Sequence, residues 1–206
     1  MKKKLINDIK EISKLMYEKS YNVSIDGNIS VKIDENKILV TASGSRLGFL
    51  NNNDIIEVDI NGNILNGNKK PTSELPLHLN IYKNRKDINA IIHAHAPNSI
   101  VLSLIDIDIE NDLYINMAPI PITEYAMPSS IESFEKLKPF LYDYNWVILK
   151  RHGVVTYEKD LLSAFLRLEG MEHFAKIMTT ALSINREIAP LDNNIKNKLL
   201  TFFGIK

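Results

Sequence analysis

The sequence predicts a single mixed α/β domain whose sheet is not purely parallel. Segments with helical spacing alternate with short β-branched runs along the chain, the pattern of one layered domain. Tight turns join neighbouring strands directly, Asn61-Gly62 being the clearest, and a two-residue turn connects only antiparallel strands. A chain of 206 residues suits one domain with one sizeable core, and no repeat, linker or low-complexity block divides it. Residues 1–206 are therefore read as one domain.

The elements follow in order. Leu5, Ile6, Ile9, Ile12, Leu15 and Met16 share one helical face, which predicts an amphipathic helix over 3–19. After the turn at Asp26-Gly27-Asn28, residues 29–33 and 37–41 read as strands joined at Asp34-Glu35-Asn36. Ala42-Ser43-Gly44-Ser45 is a loop of small residues. Residues 55–60 and 64–65 form the hairpin across Asn61-Gly62. Pro71-Thr72-Ser73-Glu74 carries helix-start chemistry, a hydroxyl cap followed by an acid in the first turn, and predicts a helix to Arg85. Residues 89–94 are an apolar strand, and Ala96-Pro97 opens a helix through Leu104. Pro119, Pro121 and Pro128 interrupt any regular element in 106–130. A helix over 134–142, a buried strand over 146–149, a long helix from Asp160 to Asn185 and a short helix ending near Phe203 complete the reading.

Composition narrows the function classes. Hydrophobic residues make up 45% and charged residues 24%, as in globular proteins. Basic and acidic residues number 25 each, so neither a nucleic-acid partner nor steering by net charge is indicated. Cysteine is absent, which excludes disulfides and thiolate ligands and fits a reducing compartment. Met1-Lys2-Lys3-Lys4 resembles the basic end of a signal peptide, yet Asp8, Lys10, Glu11 and Lys14 break the apolar run such a peptide needs. No apolar run reaches the roughly 18 residues of a membrane span. The expectation is a cytoplasmic protein with no membrane partner.

The sharpest chemical feature is His93-Ala94-His95. On a strand, residues i and i+2 face the same way, so two imidazoles project together as two ligands of one ion would. Two ordinary half-exposed histidines at a strand end give the same pattern. His152, in Arg151-His152-Gly153, ends an apolar strand at a turn, where it can enter a cleft or simply pack. Three histidines leave a divalent ion at charge +2, enough to stabilise an enediolate oxygen. His78 lies four residues after Glu74 on the same helix and reads as a supporting or packing residue. His173 reads as structural or surface. Glu74 is the candidate acid/base, at a helix start whose free N–H groups suit phosphate. Gly27-Asn28 and Ser43-Gly44 are further turns able to offer N–H groups to an anion, and ordinary turn chemistry explains them equally. Neither a P-loop nor a G-x-G-x-x-G run is present, so no nucleotide site is indicated.

Together these segments resemble the class II aldolase/adducin family. Gly27-Asn28-Ile29-Ser30, Leu39-Val40-Thr41-Ala42-Ser43-Gly44, Pro71-Thr72-Ser73-Glu74, Ile92-His93-Ala94-His95 and Arg151-His152-Gly153-Val154 are similar to its motifs, in its order. The resemblance covers nearly the whole chain and implies a three-layer, α+β-like fold with a central, mostly antiparallel sheet flanked by helices. It implies one zinc ion per subunit, held by His93, His95 and His152, and a homotetramer with active sites between subunits. It implies phosphate binding by Asn28, Ser43, Gly44, Thr72 and Ser73, and proton transfer by Glu74. Glutamate at 74 matches the branch that cleaves ketose 1-phosphates, such as fuculose 1-phosphate or 5-deoxyribulose 1-phosphate, to dihydroxyacetone phosphate and a small aldehyde. The 4-epimerases usually carry aspartate there.

Two departures stand out. The tyrosine that a neighbouring subunit supplies in this branch corresponds to Tyr114, with Tyr125 as the other candidate. A tail tyrosine of some members is replaced by Thr201-Phe202-Phe203-Gly204, which suggests a less polar aldehyde. Methylthioribulose-1-phosphate dehydratases and sugar-phosphate 4-epimerases share the scaffold and remain rival activities. Adducin heads, which lack the ligands, are the non-enzymatic alternative.

Overall fold

The computed structural model describes residues 1–105, 120–184 and 192–203. Seven strands form one sheet: β1 (Asn28–Asp34), β2 (Lys37–Thr41), β3 (Ile55–Asp59), β4 (Ile64–Asn66), β5 (Ala90–Ala94), β6 (Trp146–Leu149) and β7 (Gly153–Glu158). Their spatial order is β4-β3-β2-β1-β5-β7-β6, and every neighbouring pair is antiparallel. The described helices are α1 (Lys2–Glu18), α2 (Leu75–Asn84), α3 (Pro97–Leu104), α4 (Ile131–Leu137), α5 (Leu161–Ser183) and α6 (Asn193–Phe203). None of them is long and apolar enough to cross a membrane.

Alternation along the strands creates two apolar layers. Ile29 and Val31 of β1 and Ile92 of β5 face a core shared with Ile9, Ile12 and Met16 of α1 and Leu168 and Met171 of α5. Ile38, Val40, Ile91 and Val155 face the other core, built from Leu77, Ile81 and Tyr82 of α2 and Phe134 and Leu137 of α4. The result is three layers, helices on both faces of one antiparallel sheet, as the resemblance implied.

Local chemistry explains the boundaries. Asp59 Oδ1 accepts from the backbone N–H groups of Asn61 and Asn63, and Gly62 (φ 91°) takes the left-handed position of the β3–β4 turn. Asp160 accepts from Ser163 N at 2.8 Å and caps α5. Three sequence expectations need correction. The strand Gly153–Glu158 is absent from the reading above. It is buried at every position, so it lacks the alternation that marks a half-exposed strand. The helix expected over 134–142 spans Ile131–Leu137 and tightens into a 3-10 turn at Lys138–Phe140, where Pro139 cannot donate a helical hydrogen bond. Glu74 is the N-cap residue of α2 and not part of its first turn, and its carboxylate makes no cap.

Candidate metal centre and active site

The site sits at one end of the sheet, where β2 and β5 finish and β1 and β7 begin. His93 is inside β5, and His95 lies just past its end. His152 occupies the tight turn between β6 and β7, closed by His152 N donating to Leu149 O at 3.0 Å, with Arg151 in the left-handed region at φ 60°. Pairing of Ala94 with Val154 brings that turn beside the β5 histidines. Gly153 makes the approach possible. A Cβ there would lie 2.5 Å from Ala94 O and 3.0 Å from both His93 Cε1 and His95 Cδ2.

The three imidazoles form a compact cluster. Their centroids are 4.7 to 5.1 Å apart, and one ring nitrogen from each lies within 4.8 Å of the others. His93 Nδ1 is 3.0 Å from Val154 O. A carbonyl only accepts, so Nδ1 carries the proton and Nε2 presents a lone pair. That Nε2 is 3.1 Å from His95 Nε2. Two nitrogens on a tetrahedral zinc ion stand about 3.3 Å apart, so the spacing fits a shared cation. Burial holds the His93 imidazole well below the ordinary histidine value, with His152 and His95 adding to the shift and the Val154 bond opposing it. Burial also lowers His152, against the attraction of Glu74 and with the repulsion of His95. Both rings are therefore neutral near pH 7, the state in which histidine binds metal.

Supports hold the cluster in place. His95 N donates to Asn22 Oδ1 at 2.9 Å, and Asp26 Oδ2 lies 3.6 Å from His95 Nδ1. Two residues beyond His95, α3 begins on the buried carboxylate of Glu172. Its oxygens accept from Asn98 N, Asn98 Nδ2, Ser99 N and Ser99 Oγ at 2.7–2.9 Å. An anion among the free N–H groups of a helix start is doubly favourable, by hydrogen bonding and by the dipole.

A cleft of about 300 Å³ opens over the histidines and is lined also by Asp26, Gly27, Asn28, Ser43, Gly44, Thr72, Ser73, Glu74, Pro128 and Ser129. Every phosphate-site candidate, Glu74 and all three histidines thus meet in one cavity. Asn28 pairs across the sheet with His93. The two small-residue loops are zipped together by Ser43 N to Lys70 O at 2.9 Å and Thr72 N to Thr41 O at 3.0 Å. Glu74 is 5% exposed, so its carboxylate is enclosed by protein. Its Oε1 accepts from Ser129 Oγ at 2.8 Å, whereas Oε2 is buried with no hydrogen-bond partner among the described residues. Buried polar atoms are nearly always satisfied, so an orphaned carboxylate oxygen and the equally orphaned Asn28 Oδ1 point to a missing ligand.

The remaining candidates fall elsewhere. Tyr114 lies outside the described residues. Tyr125 is half exposed and does not line the cleft. His78 is fully buried, with Nδ1 2.7 Å from Ser30 Oγ, and belongs to the packing of α2 on β1. His173 is exposed. Asn22, Ser129 and Glu172 carry no sequence signal that marks them for the site, and Asp26 only that of a turn; the one hint of Ser129 is the turn chemistry of Pro128-Ser129-Ser130.

The chain is similar to proteins of known class. The L-fuculose phosphate aldolase of Methanococcus maripaludis strain C7 is 40% identical over 176 residues, covering 84% of this chain and 94% of that one. The 3-oxo-tetronate 4-phosphate decarboxylase of Haemophilus influenzae is 33% identical over 178 residues, covering 82% and 84%. A solved L-fuculose 1-phosphate aldolase superposes with a TM-score of 0.85 at 28% identity, covering 97% of this chain and 95% of that one. The family described as "Class II Aldolase and Adducin N-terminal domain" matches residues 7–179, and the chain belongs to that family.

Proposed function

We propose that the protein is a zinc-dependent lyase that cleaves a ketose 1-phosphate to dihydroxyacetone phosphate and a small aldehyde. The observation that carries this reading is the buried Glu74 carboxylate, with Oε2 left without a partner among the described residues, in the lining of the cleft that also holds the three clustered imidazoles. His93, His95 and His152 would hold the zinc ion, one per subunit, and a bound divalent cation supplies Lewis-acid stabilisation of negative charge on substrate oxygens.

The chain's own residues do the rest. Gly44 (φ 72°) supplies the left-handed residue its loop needs, and the requirement is conformational, since no atom lies within 4 Å of where its Cβ would be. Ser43, Thr72 and Ser73 present hydroxyl groups, and Asn28 a side-chain amide, to a phosphate. Glu74 protonates the carbon left after C–C cleavage and removes the same proton in condensation. The proton on the departing aldehyde oxygen is assigned to Tyr114 of a neighbouring subunit in a homotetramer.

A second reading follows from the decarboxylase relative. 3-Oxo-tetronate 4-phosphate is a four-carbon acid with its ketone beside the phosphate-bearing carbon. Loss of CO2 from it also leaves dihydroxyacetone phosphate. The two reactions share the bond type broken and the carbon Glu74 would protonate, and differ only in the fragment released.

The test measures dihydroxyacetone phosphate from L-fuculose 1-phosphate, 5-deoxyribulose 1-phosphate, ribulose 1-phosphate and 3-oxo-tetronate 4-phosphate. Wild type and Glu74→Gln are each compared with and without zinc after chelation. Zinc-dependent release from a ketose phosphate, lost in the variant, supports the aldolase. Release with CO2 from the acid alone transfers the assignment to decarboxylation. Substrate consumption without dihydroxyacetone phosphate would sink both.

A further inference from the structure

Building on Glu74 as the proton-transfer group, we propose that Ser129 is its positioning residue. It binds Oε1 and so holds the carboxylate in one orientation for proton exchange with substrate. The two carboxylate oxygens are chemically equal in water, and the protein makes them unequal. Oε1 lies 2.8 Å from Ser129 Oγ, and Oε2 has no partner among the described residues.

Ser129 Oγ is also 2.8 Å from Ser73 Oγ. A hydroxyl has one proton, and the carboxylate is the stronger acceptor. Ser129 therefore donates to Glu74 Oε1 and accepts from the Ser73 hydroxyl. When Ser73 turns its proton toward an arriving phosphate, the Ser129–Glu74 bond is left intact. The carboxylate keeps its orientation while the phosphate side of the cleft is rearranged.

The backbone around Ser129 supports a dedicated role. Ser129 has φ 61°, a left-handed conformation that glycine takes freely and other residues adopt at a cost. The turn is fixed from behind, with Ser130 Oγ and Ser133 Oγ donating to Met127 O at 2.6 and 3.1 Å and Met127 N donating to Glu132 Oε2 at 3.3 Å. Glycine would suit the backbone better, yet the residue present is the smallest one that brings a hydroxyl to Glu74. Such strain persists where surrounding bonds over-determine the backbone, as these do.

The proton step balances simply. In the half-reaction, the C3–H bond of dihydroxyacetone phosphate breaks, the proton passes to the Glu74 carboxylate, and the bonding pair delocalises onto the substrate's carbonyl oxygen. Return of a deuteron from D2O through the same carboxylate gives exchange without any aldehyde or CO2 partner, so the assay is independent of which fragment is released.

The experiment follows exchange of the C3 proton of dihydroxyacetone phosphate in D2O by NMR, on the zinc-loaded protein. Wild type, Ser129→Gly, Ser129→Ala and Glu74→Gln are compared, with zinc affinity and thermal midpoint measured for each. Ser129→Gly keeps or relaxes the left-handed backbone, so it removes the hydroxyl without a folding penalty. The expected result is a fall of about tenfold or more in the exchange kcat for both Ser129 variants, with KM, zinc affinity and midpoint of Ser129→Gly unchanged. Unchanged kcat in Ser129→Gly, with exchange abolished in Glu74→Gln, overturns the positioning role and leaves the catalytic reading standing. A rise in KM alone makes Ser129 a phosphate contact and also overturns it. Lost zinc affinity or a lowered midpoint in Ser129→Gly makes its role structural. Exchange that survives in Glu74→Gln, or is absent from the wild type, removes the reading on which the proposal rests.

Discussion

Replacing Gly153 by alanine tests the claim that the metal site depends on close approach of two strands. Gly153 is outside the left-handed region, so alanine brings no backbone penalty and the effect is steric. The new Cβ would stand 2.5 Å from Ala94 O, where a tolerable carbon–oxygen contact is about 3.3 Å, so β5 and β7 must part by about 0.8 Å. The Cβ also meets His93 Cε1 and His95 Cδ2 at 3.0 Å, so both rings must shift. Metal sites tolerate ligand displacements of about 0.2 Å, and overpacking of this kind costs about 1–3 kcal/mol. At about 1.4 kcal/mol per tenfold, zinc affinity is expected to fall about 10- to 100-fold. Competition with a chromophoric chelator measures it, and urea unfolding of the metal-free protein separates the fold from the site. Equal zinc affinity in the two proteins would refute the argument.

Other consequences are equally concrete. Burial brings His78 to about 3 from its ordinary 6.5, so between those values the unfolded chain binds the extra proton and stability rises with pH. Going from pH 7 to pH 5 should cost about 2 kcal/mol through this residue, seen as a drop in urea midpoint that His78→Gln reduces; parallel losses in both proteins would reject it. Glu172→Ala strands four donors at the start of α3 and should destabilise by about 3 kcal/mol, with weaker zinc binding because His95 is two residues away. Asp160→Ala removes the cap of α5 and should cost about 1 kcal/mol by urea unfolding with zinc affinity unchanged, since the cap is remote from the cleft.

Much of this was legible in the chain because the signals were local. Apolar spacing over 3–19 foretold α1 at Lys2–Glu18, and Asn61-Gly62 foretold the β3–β4 turn. His93 and His95 meet in one cluster although His95 stands just past the end of β5, because the i, i+2 spacing carries over the strand end, and the short hydroxyl and glycine loops occur in family order. What escaped notice depends on contacts between distant segments. Ser129 meets Glu74 across 55 positions, and Glu172 reaches Ser99 across 73. A lone serine after proline and a glutamate inside a long helix look like solvent-facing residues until the fold supplies their partners. The strand β7 was missed for a related reason: burial on both sides erases the polar alternation by which strands are recognised.

The pairing of Asn28 with His93 makes the cleft a checksum on the sheet. The phosphate-side residues, 28 to 74, come from the amino-terminal half, and the three imidazoles come from β5 onward. Only the β1–β5 seam joins the two sets directly within the sheet order. A slip of one residue along that seam would send the side chains of one half to the opposite face. Each half could then keep its own hairpins, and the imidazole cluster could still take up metal. A phosphorylated ligand that must touch both halves would find no site. Metal uptake therefore reports mainly on the pairing of β5 with β7 and the β6–β7 turn, whereas joint binding of metal and phosphate certifies the register of the whole sheet.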